Sequence, residues 1–355
     1  MLRFGDPGGR GYNAVGTNQI NLLSWWPGNN SGPNVFTITA GGGRNGGNSL
    51  RMTTNLGTSK YVSRPFDSQP TWGIAFAIKL NTAQGVSEVF ALYDGVTIQI
   101  DLRVNSDGTL AVTRNGALLG TTSGAVPFNA WTHVEWLSTI HNTAGTTQIW
   151  INGISALNLS AQNTRNTTNN SASVGYLGCP SVPNSNFICD LDDIIVYDSQ
   201  ANDPQGNADI TGPIGDCSLT WLLPTGAGTT TQFTPDSGSN YARVNEATPD
   251  LDTSYVGSST IGQIDTYQMA DLPVSAASVK SIAAVIMARK DDAGTRGVAC
   301  EIRTGGANFQ GANQFSLGMN YLYYFNNWGR KPGGTPSPWS VADINAIEVG
   351  QNMVS

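Results

Sequence analysis

The residues best suited to chemistry lie in WTHVEWLSTI, residues 131 to 140. If that stretch is a strand, alternation sets Trp131, His133 and Glu135 on one side and Thr132, Val134 and Trp136 on the other. A tryptophan face can stack on a sugar ring. A histidine beside a glutamate can move a proton when the two come within hydrogen-bond reach. Same-side neighbours stand roughly 6.5–7 Å apart along a strand, so contact between His133 and Glu135 is feasible. The same row also fits the half-solvated outer face of a sandwich strand that performs no reaction. Trp150, in TTQIWINGIS, and Trp25 and Trp26 are the further rings a sugar-binding reading would use.

A second group lies in CDLDDIIVYD, which carries Asp190, Asp192, Asp193 and Asp198. Alternation places Asp190 and Asp192 on one face and Asp193 with Ile195 on the other. Paired carboxylates at set separations cleave glycosidic bonds, but the Glu-x-Asp-x-Glu run of sandwich glycosidases is absent. Clustered carboxylates also suit calcium. Asp190 and Asp192 are therefore weak metal candidates, and calcium is the one cofactor left open; structural capping is the plain alternative. The chain has no Gly-x-Ser-x-Gly elbow, phosphate-binding loop, dinucleotide fingerprint or metalloprotease helix. Its two histidines, His133 and His141, supply little for triads or metals. No catalytic residue is assigned, and the expectation is a protein that is not an enzyme.

Two further clusters could serve as contact surfaces. ARKDDAGTRG encloses Asp291 and Asp292 between Arg289, Lys290 and Arg296. Mixed charges at a hairpin tip are usually solvated pairs of little net energy. In NYLYYFNNW, Tyr321, Tyr323 and Phe325 alternate with Leu322 and Tyr324, so one face is core and the other shows aromatics. Exposed aromatics mark interfaces and sugar platforms alike. Arg289, Asp291, Asp292, Arg296, Tyr321 and Tyr323 are the interface candidates.

These groups need positioning, and the composition says by what. At 355 residues the chain exceeds the usual single-domain size. Only 12% of residues are charged, against roughly 25% in ordinary domains, and 42 are glycine. Such a balance favours strands and turns over helices. A net charge of −7 offers no basic stripe for nucleic acid. The start, MLRFGDPGGR, lacks the apolar core of a signal peptide, and no run approaches the ~20 apolar residues of a membrane helix. The expectation is assembly in a cytoplasm without membrane insertion. Four cysteines give no metal spacing; Cys179 and Cys189 could staple a hairpin, although a cytosol keeps thiols reduced.

Strand-like segments recur every 8–12 residues from Thr71, among them TWGIAFAIKL, VSEVFALYD, VTIQIDLRV and TLAVTR. SDGT at Ser106 and RNGA at Arg114 supply the turn pairs hairpins prefer. SQANDPQGNADITGPIG, residues 199–215, has no periodicity and reads as a linker. A second β-rich block runs from Asp216 to the end. In it SVADINAIEVG carries the one helix signal, with Ser340 and Asp343 at cap spacing and Gly350 as terminator. The predicted fold is all-β: one sandwich over residues 1–198 and a second β-sandwich over 216–355.

FNAWTHVEWLSTIHNTAGTTQIWINGI, closed by LDDIIVYDS, resembles the concanavalin A-like, laminin-G-type jelly rolls, especially those in structural proteins of tailed bacteriophages. The resemblance rests on Trp131, His133, Glu135, Asn152, Gly153, Asp192 and Asp193, and on the early GGGRNGGNSLRM. The second block, with VNEATPDLDTSYV, GQIDTYQMADLP, ARKDDAGTR and WSVADINAIEVG, resembles a C-terminal β-domain of phage virion proteins. The resemblance implies a structural protein on the exterior of a virion, as a tail appendage or fibre or as a capsid decoration. It implies other virion proteins and further copies of the chain as partners, with host cell-surface glycans as a third. A carbohydrate-binding adhesin and a polysaccharide depolymerase are the alternatives. Trp131, His133, Glu135 and Trp150 are the ligand-binding candidates.

Overall fold

The fold is that of a computed structural model, which describes residues 2–6, 28–29, 36–54, 59–180, 186–198, 212–247 and 249–355. Trp25 and Trp26 lie outside them, as does most of the expected linker. The chain divides into two compact units. One holds the described residues from 3 to 198 together with 212–219, and the other those from 220 to 355. The expected linker runs to Gly215, but residues 212–219 belong with the sandwich.

The first unit is a two-sheet sandwich, as alternation predicts. Its early strands are β1 (Leu2–Asp6), β2 (Gly28–Asn29), β3 (Phe36–Thr39), β4 (Ser49–Thr54) and β5 (Lys60–Gln69). The middle ones are β6 (Thr71–Ala83), β7 (Ser87–Asp94), β8 (Thr97–Val104), β9 (Thr109–Arg114) and β10 (Ala117–Ala125). The last are β11 (Trp131–Thr139), β12 (Gly145–Ile151), β13 (Ile154–Gln162), β14 (Ala172–Cys179) and β15 (Phe187–Asp198). One sheet runs β13-β12-β11-β6-β15-β4-β3, with β1 also on β15, and the other runs β10-β9-β8-β7-β14-β5-β2.

The inward faces make the core. Phe76 of the first sheet meets Phe90 of the second with ring centroids 4.8 Å apart. Val134 and Trp136 point inward from β11 and are buried, as expected. Each such large side chain contributes about 1.5–3 kcal/mol by leaving water. Indole nitrogens inside need partners: Trp136 Nε1 donates to Thr147 Oγ1 at 3.0 Å, and Trp72 Nε1 donates to the carbonyls of Gln69 and Ala172, both at 3.1 Å. Cys179 and Cys189 are both buried free thiols rather than a staple. Asn115–Gly116 and Asn152–Gly153 take positive φ at both residues, the turn that two-residue hairpins demand. At Asp107–Gly108 only the glycine does so, and the Asp107 carboxylate accepts from the Thr109 amide at 2.9 Å instead.

The second unit is also β. Its strands are β16 (Pro224–Thr231), β17 (Thr234–Pro235), β18 (Val256–Gly257), β19 (Ile264–Met269), β20 (Ile282–Ala288) and β21 (Gly297–Thr304). They continue as β22 (Ala307–Gln310), β23 (Phe315–Ser316), β24 (Leu322–Trp328) and β25 (Glu348–Met353). The sheet β16-β19-β25-β21-β22, with β23 on β21, faces the β20–β24 pair. Between them lie Ala284, Cys300, Ile302, Trp328, Trp339, Ile344 and Ile347. The helix α1 (Val341–Asn345) opens with the expected capping box, in which the Ser340 hydroxyl accepts from the Asp343 amide and the Asp343 carboxylate accepts from the Ser340 amide. It is shorter than the sequence suggests. Gly350 does not terminate it but sits in β25, where an added Cβ would lie 1.8 Å from the Asp265 carbonyl oxygen.

Candidate functional site

On β11 the register aligns Trp131 with Lys79, His133 with Ala77 and Glu135 with Ala75, so the three residues do share the outer face of the first sheet. That face is not half-solvated where it was expected to be. His133 and Glu135 are each only 1% exposed. Residues 212–219 cross over them as a strap, and Glu135 is its anchor. Its carboxylate accepts from the amides of Ile214 at 2.7 Å and Gly215 at 3.2 Å, and from the Tyr197 hydroxyl. The Tyr197 ring lies over Gly73, where any Cβ would clash at 2.0 Å. Burial and the nearby Glu135 carboxylate push the Tyr197 phenol up. Further along, Leu219 N donates to Asp193 Oδ1 at 2.8 Å, while Arg44 donates to the Cys217 carbonyl and to Asp216.

His133 has no hydrogen-bond partner at either ring nitrogen. Burial draws its pKa down to about 4, against the attraction of Asp216 and with the repulsion of Arg44. It is a neutral wall residue, not a proton relay for Glu135. Trp131 and Trp150 remain half-buried at the margins of this face. Lys79 Nζ stands 5.3 Å from the Trp131 ring centroid.

The aspartates are likewise occupied. Asp190 receives Arg51 Nε at 2.7 Å, Arg51 Nη2 at 2.9 Å and Asn81 Nδ2 at 3.0 Å, with Lys79 Nζ at 3.4 Å. Burial opposes its ionisation, but these donors outweigh burial and hold the carboxyl below its ordinary range. Asp192 accepts the Arg44 amide at 2.8 Å and the Asp193 amide at 2.9 Å. The calcium candidates are thus turned to protein donors, and no group of three metal-ligating side chains occurs among the described residues. Simple alternation also fails after Asp192. Asp193 has φ 51 and opens a bulge, after which Ile195 pairs with Ala75. The extra residue returns Ile195 to the side of Asp192 and Glu135, contrary to simple alternation.

The outer face of the second sheet is different. Register places Ser63, Tyr176, Ala91, Asp101 and Thr113 in one line across β5, β14, β7, β8 and β9. Tyr61 stands opposite Gly178 on one side of that line, and Tyr93 opposite Val174 on the other. Tyr176 is the centre of an aromatic trio: its ring centroid is 4.8 Å from Tyr61 and 4.1 Å from Tyr93. All three rings are half-buried. Ala91 and Asp101 are 0% exposed although they face outward, so taller neighbours wall them in. The result is a half-buried patch of tyrosine rings lying over covered small residues.

Its polar end is built on β8. Asp101 accepts the Thr113 hydroxyl at 2.6 Å and Arg103 Nε, while Arg103 Nη2 stands 3.6 Å from Glu88 Oε1. Burial, then Glu88, pushes the Tyr93 phenol up, and burial with Tyr61 raises Tyr176. Both therefore remain neutral phenols able to donate a hydrogen bond. Next to Tyr93 the bulged Gln99 pins the loop 166–171: its Oε1 accepts from the amides of Asn166 and Thr167 and its Nε2 donates to the carbonyls of Asn169 and Ser171. Sequence reasoning passed over this site. Its signal was present as tyrosines alternating with apolar residues in YVS, LYD and GYL and as Asp-x-Arg in IDLRV, but on separate strands.

In the second unit, Arg289 pairs with Asp252 at 2.8 Å, the Tyr321 hydroxyl donates to the same carboxylate at 2.8 Å, and the guanidinium lies 5.2 Å from the Tyr321 ring centroid. Arg296 pairs with Asp292 at 2.6 Å, Asp291 is exposed, and burial pushes the half-buried Tyr323 up to about 12. Arg289 and Tyr321 thus find partners in Asp252, a residue the sequence reading did not single out.

No protein-family model matches this sequence, and no curated protein matches it. Among solved structures, the chain is similar to alginate lyase Aly36B, at 12% identity and TM-score 0.40, covering 56% of this chain and 98% of that one. It is similar to the endo-β-1,4-glucuronan lyase of the fungus Trichoderma reesei, at 10% identity and TM-score 0.40, over 57% and 97%. A Trypanosoma rangeli sialidase follows at 13% identity and TM-score 0.32, over 42% of this chain and 25% of the sialidase. Two of these proteins are polysaccharide lyases and the third is a sialidase. On that finding the expectation that this chain is not an enzyme is withdrawn.

Proposed function

We propose that the sandwich unit engages a polysaccharide, laying the sugar chain across the tyrosine patch of its second sheet. One observation carries this reading: Tyr61, Tyr176 and Tyr93 form a continuous half-buried ring cluster beside fixed polar groups. Sugar sites combine an apolar ring platform with a few oriented donors and acceptors. Here the rings supply the platform and the neutral phenols donate, while Gln99 holds the neighbouring loop in place at one end. Since the hydrogen bonds already hold these groups in place, little ordering cost opposes binding. The resemblance of the jelly-roll motifs to tailed-phage proteins suggests the setting, a copy displayed on a particle that meets host surface glycan.

A second reading, cleavage of the bound chain, is favoured by Glu88 and Asp101, two buried carboxylates beside the rings. They replace Asp190 and Asp192, which are committed to arginine, lysine and backbone donors.

Glycan-array binding with the wild-type chain and with Tyr176→Ala tests the main reading. Binding that falls at least tenfold in the variant supports it. An array silent for the folded wild type, or binding indifferent to Tyr176, removes it. Release of reducing or unsaturated ends from the bound glycan, lost in Glu88→Gln, would establish cleavage; bound glycan left intact would dismiss it.

A further inference from the structure

We infer that two copies of this chain join edge to edge through β20, running antiparallel about a twofold axis, so that their β20–β24 pairs form one continuous sheet. The contact lies in the second unit, and it holds whether or not the sandwich binds sugar.

A strand that ends a sheet turns alternate amides and carbonyls outward, ready to bond to another strand. Soluble proteins guard such edges with charge, proline, bulges or cover. Guards are visible elsewhere in this molecule. The outermost strands β10 and β13 of the two sandwich sheets lie against each other. There Ser123 Oγ donates to the Ala156 carbonyl at 3.2 Å, and a Cβ on Gly120 would meet Leu159 Cδ1 at 2.7 Å. In the second unit β16 starts at a proline and slips register twice on β19. Strands β22 and β23 are only four and two residues long.

The edge of β20 lacks charge, proline and bulge. It pairs with β24 without a register shift from Ile282 to Ala288 and, among the described residues, with no other strand. Backbone bonds from it to turns or loops are likewise absent among the described residues. Its sequence is IAAVIMA. Ala284 lies in the core with Ile282 and Ile286 packed against it, and Ala283, Val285 and Met287 alternate onto the opposite side. A twofold axis normal to the sheet keeps each face on its own side. Apolar side chains of one copy therefore stand beside apolar side chains of the other.

The flanking charges set the direction. Lys280, just before β20, and Asp291, just after it, are both exposed, and neither enters an ion pair among the described residues. The other charges at the Asp291 end are committed: Arg289 to Asp252, Arg296 to Asp292, and Lys290 Nζ to the Gly294 carbonyl at 2.7 Å. Antiparallel pairing carries Lys280 of each copy to Asp291 of the other. A parallel arrangement would bring like charges together instead.

The test is the mass of the full chain in solution, by light scattering or sedimentation over a concentration series. Wild type should run as a dimer of the 37.4 kDa chain. Ala283→Lys, at an exposed side chain in the middle of the edge, should run as a monomer with its circular dichroism unchanged. Lys280→Asp should raise the dimer dissociation constant about tenfold, and adding Asp291→Lys should bring it back. Should Ala283→Lys fail to fold, that charge reversal and its rescue decide alone. A wild type monomeric at high micromolar concentration, a larger oligomer, or a dimer indifferent to a folded Ala283→Lys overturns the pairing. So does a Lys280→Asp dimer that is not weakened, or one that Asp291→Lys fails to restore.

Discussion

The two outer faces of the sandwich began with similar credentials and ended differently. Both carry aromatic rings, acids and an arginine on alternating positions of long strands. On the first sheet those groups are sealed: Glu135 is consumed by three donors and His133 is walled in under residues 212–219. On the second, the tyrosines stay partly exposed and the acids are organised around Arg103. The difference does not lie in the strands. It lies in whether a later piece of chain has a carboxylate to which its backbone amides can bind. A Trp-x-His-x-Glu row on a strand is thus as compatible with a docking rail for the protein's own backbone as with a ligand site.

The contrast can be broken most forcefully at Glu135. Glu135→Ala would leave the Tyr197 hydroxyl and two backbone amides buried without an acceptor, at a cost of about 3 kcal/mol or more. Denaturant unfolding should show that loss, and amide exchange at Ile214 and Gly215 should quicken. Unchanged exchange there would mean that the strap is held by something else. The next effect is on pH. His133 titrates near 4 when folded and near 6.5 when unfolded, so between those values the unfolded chain binds the extra proton. Stability should therefore fall as pH drops from about 6.5 to about 4, by up to about 3 kcal/mol, and level off below. His133→Leu should flatten that part of the profile, whereas an identical slope in the variant would assign it to other groups.

On the open face the balance reverses. Tyr176→Ala should weaken glycan binding by at least tenfold, about 1.4 kcal/mol, while leaving pH-dependent stability as it was. The smallest expected effect is at the margin of the closed face. Trp131→Ala loses a contact with Lys79 worth about 0.5–1 kcal/mol and should leave glycan affinity alone. If affinity instead follows Trp131 and ignores Tyr176, the assignment of open and closed faces is inverted.

Much of the architecture was legible because it depends on near neighbours. Period-two burial located the long strands, Asn115–Gly116 fixed a hairpin, and Ser340 with Asp343 marked the start of the helix. What escaped depends on partners distant in sequence. The burial of His133 is decided by residues some 80 positions later. The bulge at Asp193 shifts the face of Ile195 through one positive φ, which composition does not announce. Helix α1 stops early because the following residues are taken into β25 beside β19. The tyrosine patch draws one ring from each of three strands, so no local window contains it. The acids of CDLDDIIVYD looked like ligands because their counter-charges, Arg44, Arg51 and Lys79, come from other strands and loops.

The strap also sets an order of events during synthesis. Every described strand of the sandwich is complete by residue 198, yet the Glu135 carboxylate has only the Tyr197 hydroxyl until the amides of residues 214 and 215 follow, and the Asp193 clasp waits for Leu219. A nascent sandwich thus passes through an interval in which its first sheet is assembled but uncovered, presenting a charged, unsatisfied wall to whatever is nearby. A fragment cut at 198 would be frozen in that interval, whereas one carried to 219 would complete its own closure.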